Sequence, residues 1–157
     1  MTAEGADMLA RIRTDLTASM KARDELRSST LRMVLAAVQT AEVAGKQARR
    51  LSDDEVVGVV AAEAKKRRES ATAFDGGGRP ELADKERAEA EILAEYLPEQ
   101  LDADAISALV ARAVAETGAA GEGMRAMGKV MGRLQPQVRG RADGGVVAAE
   151  VKRQLGA

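Results

Sequence analysis

The sequence predicts an all-α protein, and three observations carry that expectation. Aromatic residues make up 1% of the chain and threonine is sparse, so strand-favouring residues are few, while the abundant Ala, Leu, Glu, Arg and Met favour helix. Apolar residues recur at spacings of three and four rather than two. Capping residues, glycines and prolines punctuate these periodic stretches at helix-like intervals. Together they predict a four-helix N-terminal domain over residues 1–94 and a small three-helix C-terminal domain over residues 95–157.

Leu9, Ile12, Leu16 and Met20 form one apolar stripe on a first helix running from about Glu4 to Ala22. A polar turn at Arg23 to Glu25 precedes a second, with Leu31, Leu35, Val38 and Ala41 on its inner face. Ser52 followed by Glu55 is a capping box, because each side chain can satisfy a free backbone N–H at the start of a third helix. Val56, Val60, Ala64, Ala71 and Phe74 make its buried stripe, and Asp75 to Gly78 end it. Pro80 suits the first turn of a fourth helix, which carries Leu82, Leu93, Tyr96 and Leu97 and must stop near Pro98. Asp102 caps a fifth helix running to Gly118. A glycine-containing loop, 119–123, leads to a sixth from about Met124 to Leu134, broken by Pro136 and Gly140. Asp143 caps the last, which ends at Leu155.

A length of 157 residues fits one ordinary domain or two small ones. The chain contains no His, Cys or Trp, which removes the side chains most used for near-neutral proton transfer, zinc binding, disulfides and thiol chemistry. No metal site and no cofactor are expected. Leu, Ile, Val and Phe together number only 31, a thin core for a chain of this length. With 24 basic and 25 acidic residues the high net charge of disordered chains is absent, so closely packed alanine-rich helices are the expectation. No apolar run is long enough to cross a bilayer and the N-terminus lacks a leader pattern, which predicts a cytoplasmic protein without a membrane partner.

The formal charge of −1 conceals local asymmetry. Between Glu95 and Thr117 there are five acids against Arg112, whereas Arg125, Lys129, Arg133, Arg139 and Arg141 stand in a stretch with no acid at all. At about 100° per residue, Arg125, Lys129 and Arg133 lie on one side of the sixth helix. Met124, Met127, Val130, Met131 and Leu134 lie on the other. Gly128 and Gly132 border the basic face. Each weakens a helix by about 1 kcal/mol relative to alanine, so each needs a reason. Two are available: tight packing inside the protein, or the approach of another backbone such as a sugar-phosphate chain. A basic helix face is itself either a solvated surface or a binding site.

Two motifs are deceptive. Gly123 to Lys129 fits the start of a phosphate-binding P-loop, but Val130 stands where Ser or Thr should ligate magnesium, and no strand is predicted before it. Glu86 and Glu89 resemble paired catalytic carboxylates, yet their helical angles put them on the inward stripe with Leu82 and Leu93. Arg67 falls on the inward stripe of the third helix. An internal ion pair of Arg67 with Glu86 or Glu89 is therefore expected, since an unpaired buried charge costs several kcal/mol. The run Lys65 to Arg68, toward the C-terminal end of that helix, suits the helix dipole.

Several stretches resemble the YqeY family: Asp15 to Asp24, the SerThrLeuArgMetValLeuAlaAla run from Ser29, TyrLeuPro at Tyr96 to Pro98, MetGlyLysValMetGly at Met127 to Gly132, and GlyArgAlaAspGly at Gly140 to Gly144. The resemblance spans nearly the whole chain. It implies a C-terminal domain of GatB/YqeY type, similar to the tail of the B subunit of the glutamine-dependent amidotransferase that acts on misacylated Glu-tRNA or Asp-tRNA, where the tail contacts tRNA. By position it makes Arg125, Lys129, Arg133, Arg139 and Arg141 the expected phosphate contacts, with Gly128 and Gly132 between them. Neither an amidase Ser and Lys constellation nor a kinase-like domain is present, so no catalytic residue is expected and amide transfer by this chain alone is not implied. The expected function is a non-catalytic tRNA-binding module. The alternatives are a protein-interaction adaptor, with amidotransferase subunits as partners, or an accessory component of a carbon–nitrogen ligase complex using glutamine as amide donor.

Overall fold

A computed structural model describes residues 7–156, and among these residues there are seven α-helices and no strand. The chain divides into two compact units, one ending at Leu97 and one beginning at Pro98. The first contains α1 (Met8–Lys21), α2 (Glu25–Glu42), α3 (Asp53–Gly76) and α4 (Pro80–Ala94). The second contains α5 (Ala103–Thr117), α6 (Met127–Val138) and α7 (Gly144–Gln154).

Helix starts follow the capping chemistry of the sequence. Asp7, Asp24, Ser52, Asp102 and Asp143 each accept a hydrogen bond from a backbone N–H in the first turn of their helix, and the Ser52–Glu55 capping box is complete in both directions. Pro80 opens α4, where its missing N–H removes nothing the helix needs. The expected start of the first helix near Glu4 lies in part outside the described residues. At Asp7 the chain is already the cap rather than helix, with the Ala10 N–H on its Oδ1 at 2.6 Å.

In the first unit α1 and α2 form one hairpin and α3 and α4 a longer one. Ile12, Leu31, Val34, Val38, Val56, Val60, Leu93 and Tyr96 build the common core. Three sequence expectations are corrected here. Met20 is half exposed and Ser19 takes the inward position instead, because α1 and α2 approach closely enough for the Ser19 and Ser28 hydroxyls to share a hydrogen bond of 2.7 Å. Phe74 is only half-buried, since α3 outruns the core at its end. On α4, Leu82 is half-buried and Ala83 is the residue with no exposed surface, as the close α3–α4 pairing favours a small side chain. The fourth helix ends at Ala94, so Tyr96 and Leu97 lie in the turn beyond it. Glu95 accepts a bidentate hydrogen bond from Arg27, and Tyr96 donates to Asp15 with Arg11 stacked over its ring at 4.6 Å.

The second unit packs Ile106, Val110, Val130, Leu134, Val147 and Val151 without any aromatic residue. The sixth helix is longer than expected, continuing through Pro136 to Val138. The proline lies in the final turns, where few bonds remain to be broken. Burial of Val138 contributes about 1.5–3 kcal/mol, comparable to the roughly 3 kcal/mol that a helix-interior proline removes.

Candidate nucleic-acid interface

The geometry of α6 is set by the glycines before it. Gly118 ends α5 in the left-handed conformation at φ 67°, and Gly121 and Gly123 also take positive φ, a turn that side chains rarely permit. A single 3-10 turn, Gly123–Ala126, then feeds directly into α6. Val130, Leu134 and Val138 face the core, with Met127 and Met131 half-buried beside them. The opposite face presents Arg125, Gly128, Lys129, Gly132, Arg133 and Pro136, all exposed.

The cations on this face have distinct surroundings. Lys129 Nζ lies 3.0 Å from Glu122 Oε2, and Arg133 pairs with Glu116 at the end of α5. Both acids lie outside the stretch that contains the five bases, so the basic segment is partly matched within its own unit. The paired side chains remain about half exposed, and such surface pairs contribute about 0–1 kcal/mol, little enough to be exchanged for a phosphate. Arg125 is exposed on the 3-10 turn. Arg139 is the exposed C-cap of α6.

Arg141 is different. It is half-buried, with Nε donating to the Glu99 carbonyl at 3.1 Å and Nη1 to the Gln137 carbonyl at 3.2 Å. Beside it, the Leu101 N–H donates to the Arg141 carbonyl and the Gln100 amide to the Gly140 carbonyl, each at 2.8 Å. With Gly140 at φ 71° and Asp143 capping α7, the GlyArgAlaAspGly stretch ties the start of the unit to the α6–α7 corner. These backbone contacts leave no signature in residue spacing.

Of the two reasons available for Gly128 and Gly132, packing against other described residues is absent. A Cβ built at either position meets nothing within 4 Å, and neither residue has positive φ. The Gly123 to Lys129 stretch is a 3-10 turn running into a helix, and it follows a helix and a loop rather than a strand.

The first unit holds a charge cluster of its own. Arg67 Nε is 3.2 Å from Glu89 Oε2 and 3.9 Å from Glu86 Oε2, while its Nη2 is 3.2 Å from Glu63 Oε1. Glu63, one helical turn before Arg67, joins the pair expected from the sequence through an i, i+4 spacing that the sequence displays. Three carboxylates around one guanidinium leave Glu89 well buried, and its pKa is raised, first by loss of water and then by the neighbouring Glu86, against the pull of Arg67. Among the described residues no group of three or more His, Cys, Asp or Glu side chains is arranged to hold a metal ion. Likewise no helix is long and apolar enough to cross a membrane.

Compared with known protein families, residues 9–155 match the family described as Yqey-like protein. No curated protein matches the chain.

Proposed function

The chain belongs to the YqeY family, and from that premise we propose that it is a non-catalytic RNA-binding module whose ligand is tRNA. The two units act as a four-helix domain and a three-helix domain, and the outer face of α6 in the second carries the contact. The resemblance of that unit to the tRNA-contacting tail of amidotransferases supplies the ligand class. The observation that carries the reading is Gly128 and Gly132: two exposed helix glycines with open space above them, set among Arg125, Lys129 and Arg133. They weaken the helix and no neighbour among the described residues requires them. A strip without side chains between cations lets a sugar-phosphate backbone lie close to the helix while its phosphates meet the flanking charges. Arg139 extends the basic surface at the end of α6, and Arg141 positions the corner rather than meeting phosphate. With Tyr96 buried and the chain free of Trp, recognition rests on shape and phosphate rather than on base stacking.

Filter binding of a tRNA transcript to the full chain over a range of salt tests this. Three phosphate contacts predict a log–log slope of about −2 to −3, and Lys129→Gln/Arg133→Gln removes roughly two thirds of it. Glutamine avoids setting like charges against Glu122 and Glu116. Equal affinity of wild type and variant, or no salt slope, overturns the proposal.

A further inference from the structure

A groove follows the seam between α1 and α2 in the first unit. Three depressions make it up, and shared residues join them. Met20, Arg23, Ser28 and Arg32 line the first, and Arg32 also lines the second with Arg13, Leu35 and Gln39. Arg13, Gln39 and Glu42 carry it into the third, which ends at Val43, Arg49 and Arg50. From Ser28 to Val43 this is about 22 Å along α2 at roughly 1.5 Å per residue. Among the described residues five arginines border the groove against two acids, Glu25 and Glu42. Arg49 pairs with Glu55 and Arg50 with Asp7, and Glu42 accepts the Leu51 N–H at 3.2 Å. Arg13 and Arg32, one from each helix, are exposed on the same depression. Between the cations the surface is aliphatic: Leu9 and Val38 are buried, Leu35 is half-buried, and Met20 and Val43 are exposed.

The occupant must answer both the charge and the aliphatic surface. A concave apolar surface gains by being covered, and a phosphate offers it nothing. A sugar-phosphate chain also carries a charge at every nucleotide, which sets one against Glu42, and among the described residues no aromatic side chain lines the groove to stack a base. The face of α6 differs, since glycines rather than aliphatic side chains stand between its cations. A protein helix meets both demands. It packs into the seam between two others with its apolar stripe on Leu35 and Val43, and it carries charge only on its flanks. About 16 residues, or four turns, fill the length. We infer that the α1–α2 groove is a docking site for an acidic amphipathic helix of a partner protein, whose flanking carboxylates meet Arg13 and Arg32. This docking needs nothing from the RNA contact on α6, which belongs to the second unit.

Fluorescence anisotropy with the full-length protein tests this. The probe is a labelled, hydrocarbon-stapled helix of about 16 residues with leucine along one face and glutamate on both flanks. One companion carries lysine in place of glutamate, and another serine in place of leucine. The acidic leucine helix should bind more tightly than either companion and weaken as salt rises. Arg13→Gln/Arg32→Gln should weaken it by about 3–10-fold, the value of two exposed ion pairs. Val43→Glu should weaken it as well, by removing an apolar contact and adding a like charge. All three positions are exposed, so the variants should fold, and circular dichroism checks that they do. Absence of binding by the acidic leucine helix, equal binding of the lysine companion, or unchanged affinity in both variants overturns the docking site. Displacement of the probe by a tRNA transcript, with tRNA affinity falling in Arg13→Gln/Arg32→Gln, overturns it in favour of a nucleic acid.

Discussion

Replacing Gly128 and Gly132 by alanine should make the protein more stable and a weaker ligand for RNA. Both glycines lie in α6 without positive φ, and a Cβ at either has nothing within 4 Å, so alanine fits the backbone without strain. Gly132 is in the middle of the helix, where alanine is favoured by about 1 kcal/mol. Gly128 is the second residue, at the junction of the 3-10 turn with α6 rather than in the helix interior, and roughly 0.5 kcal/mol is expected. The double variant should therefore gain about 1.5 kcal/mol, close to a tenfold rise in the folding equilibrium. Urea unfolding followed by far-ultraviolet circular dichroism reads this directly, as a higher midpoint at unchanged slope. The same two methyl groups stand where a sugar-phosphate backbone would rest. Overfilling a fitted contact by a methyl group is expected to weaken binding by about 1–3 kcal/mol, tenfold or more in filter binding. Stabilisation with full RNA affinity would show that the glycines serve no ligand, and loss of stability would show that the space above them is not open.

Two further predictions concern the first unit. Arg67→Met leaves Glu63, Glu86 and Glu89 clustered without their cation and should lower stability by about 3–5 kcal/mol, with Glu89→Ala more damaging than Glu86→Ala because Glu86 lies farther from Arg67 and repels Glu89. Thermal melts rank the three variants, and an unchanged melting temperature for Arg67→Met would refute the cluster. The pH dependence has two opposing parts. Glu89 has a raised pKa in the fold, so its contribution is fully present below the unfolded value and is lost as pH rises through the folded one; Glu89→Gln should remove that loss. Glu55, held at about 2 by Arg49 and the Ser52 cap, contributes above its unfolded value of 4.5 and loses that contribution as pH falls toward 2, so Glu55→Gln should flatten the acid limb of stability measured between those values.

Helix starts were legible because a cap acts within three residues: Ser52 and Glu55, Asp102 and Asp143 carry their effect in their immediate neighbours. Burial was legible where a stripe meets a broad core, as at Val56, Val60 and Leu93, and failed where two helices come close enough to prefer Ser19 over Met20 or Ala83 over Leu82. At Pro136 the local rule that proline ends a helix is offset by the burial of Val138, which depends on residues from other helices. On the candidate face, charge was visible but its disposition was not. Glu116 at the end of α5 and Glu122 in the loop after it neutralise part of the basic stretch from outside it, and Arg141 is turned onto two carbonyls by a chain reversal that no periodicity reports. The glycines reverse this relation. Their cost to the helix is apparent from residue type alone, but the empty space above Gly128 and Gly132, which removes packing among the described residues as its reason, is not. An open Cβ direction is not by itself the mark of a binding face, since Gly58 in α3 and Gly144 in α7 also have nothing within 4 Å; what sets Gly128 and Gly132 apart is their place among Arg125, Lys129 and Arg133, where a cost to the helix and a concentration of charge coincide.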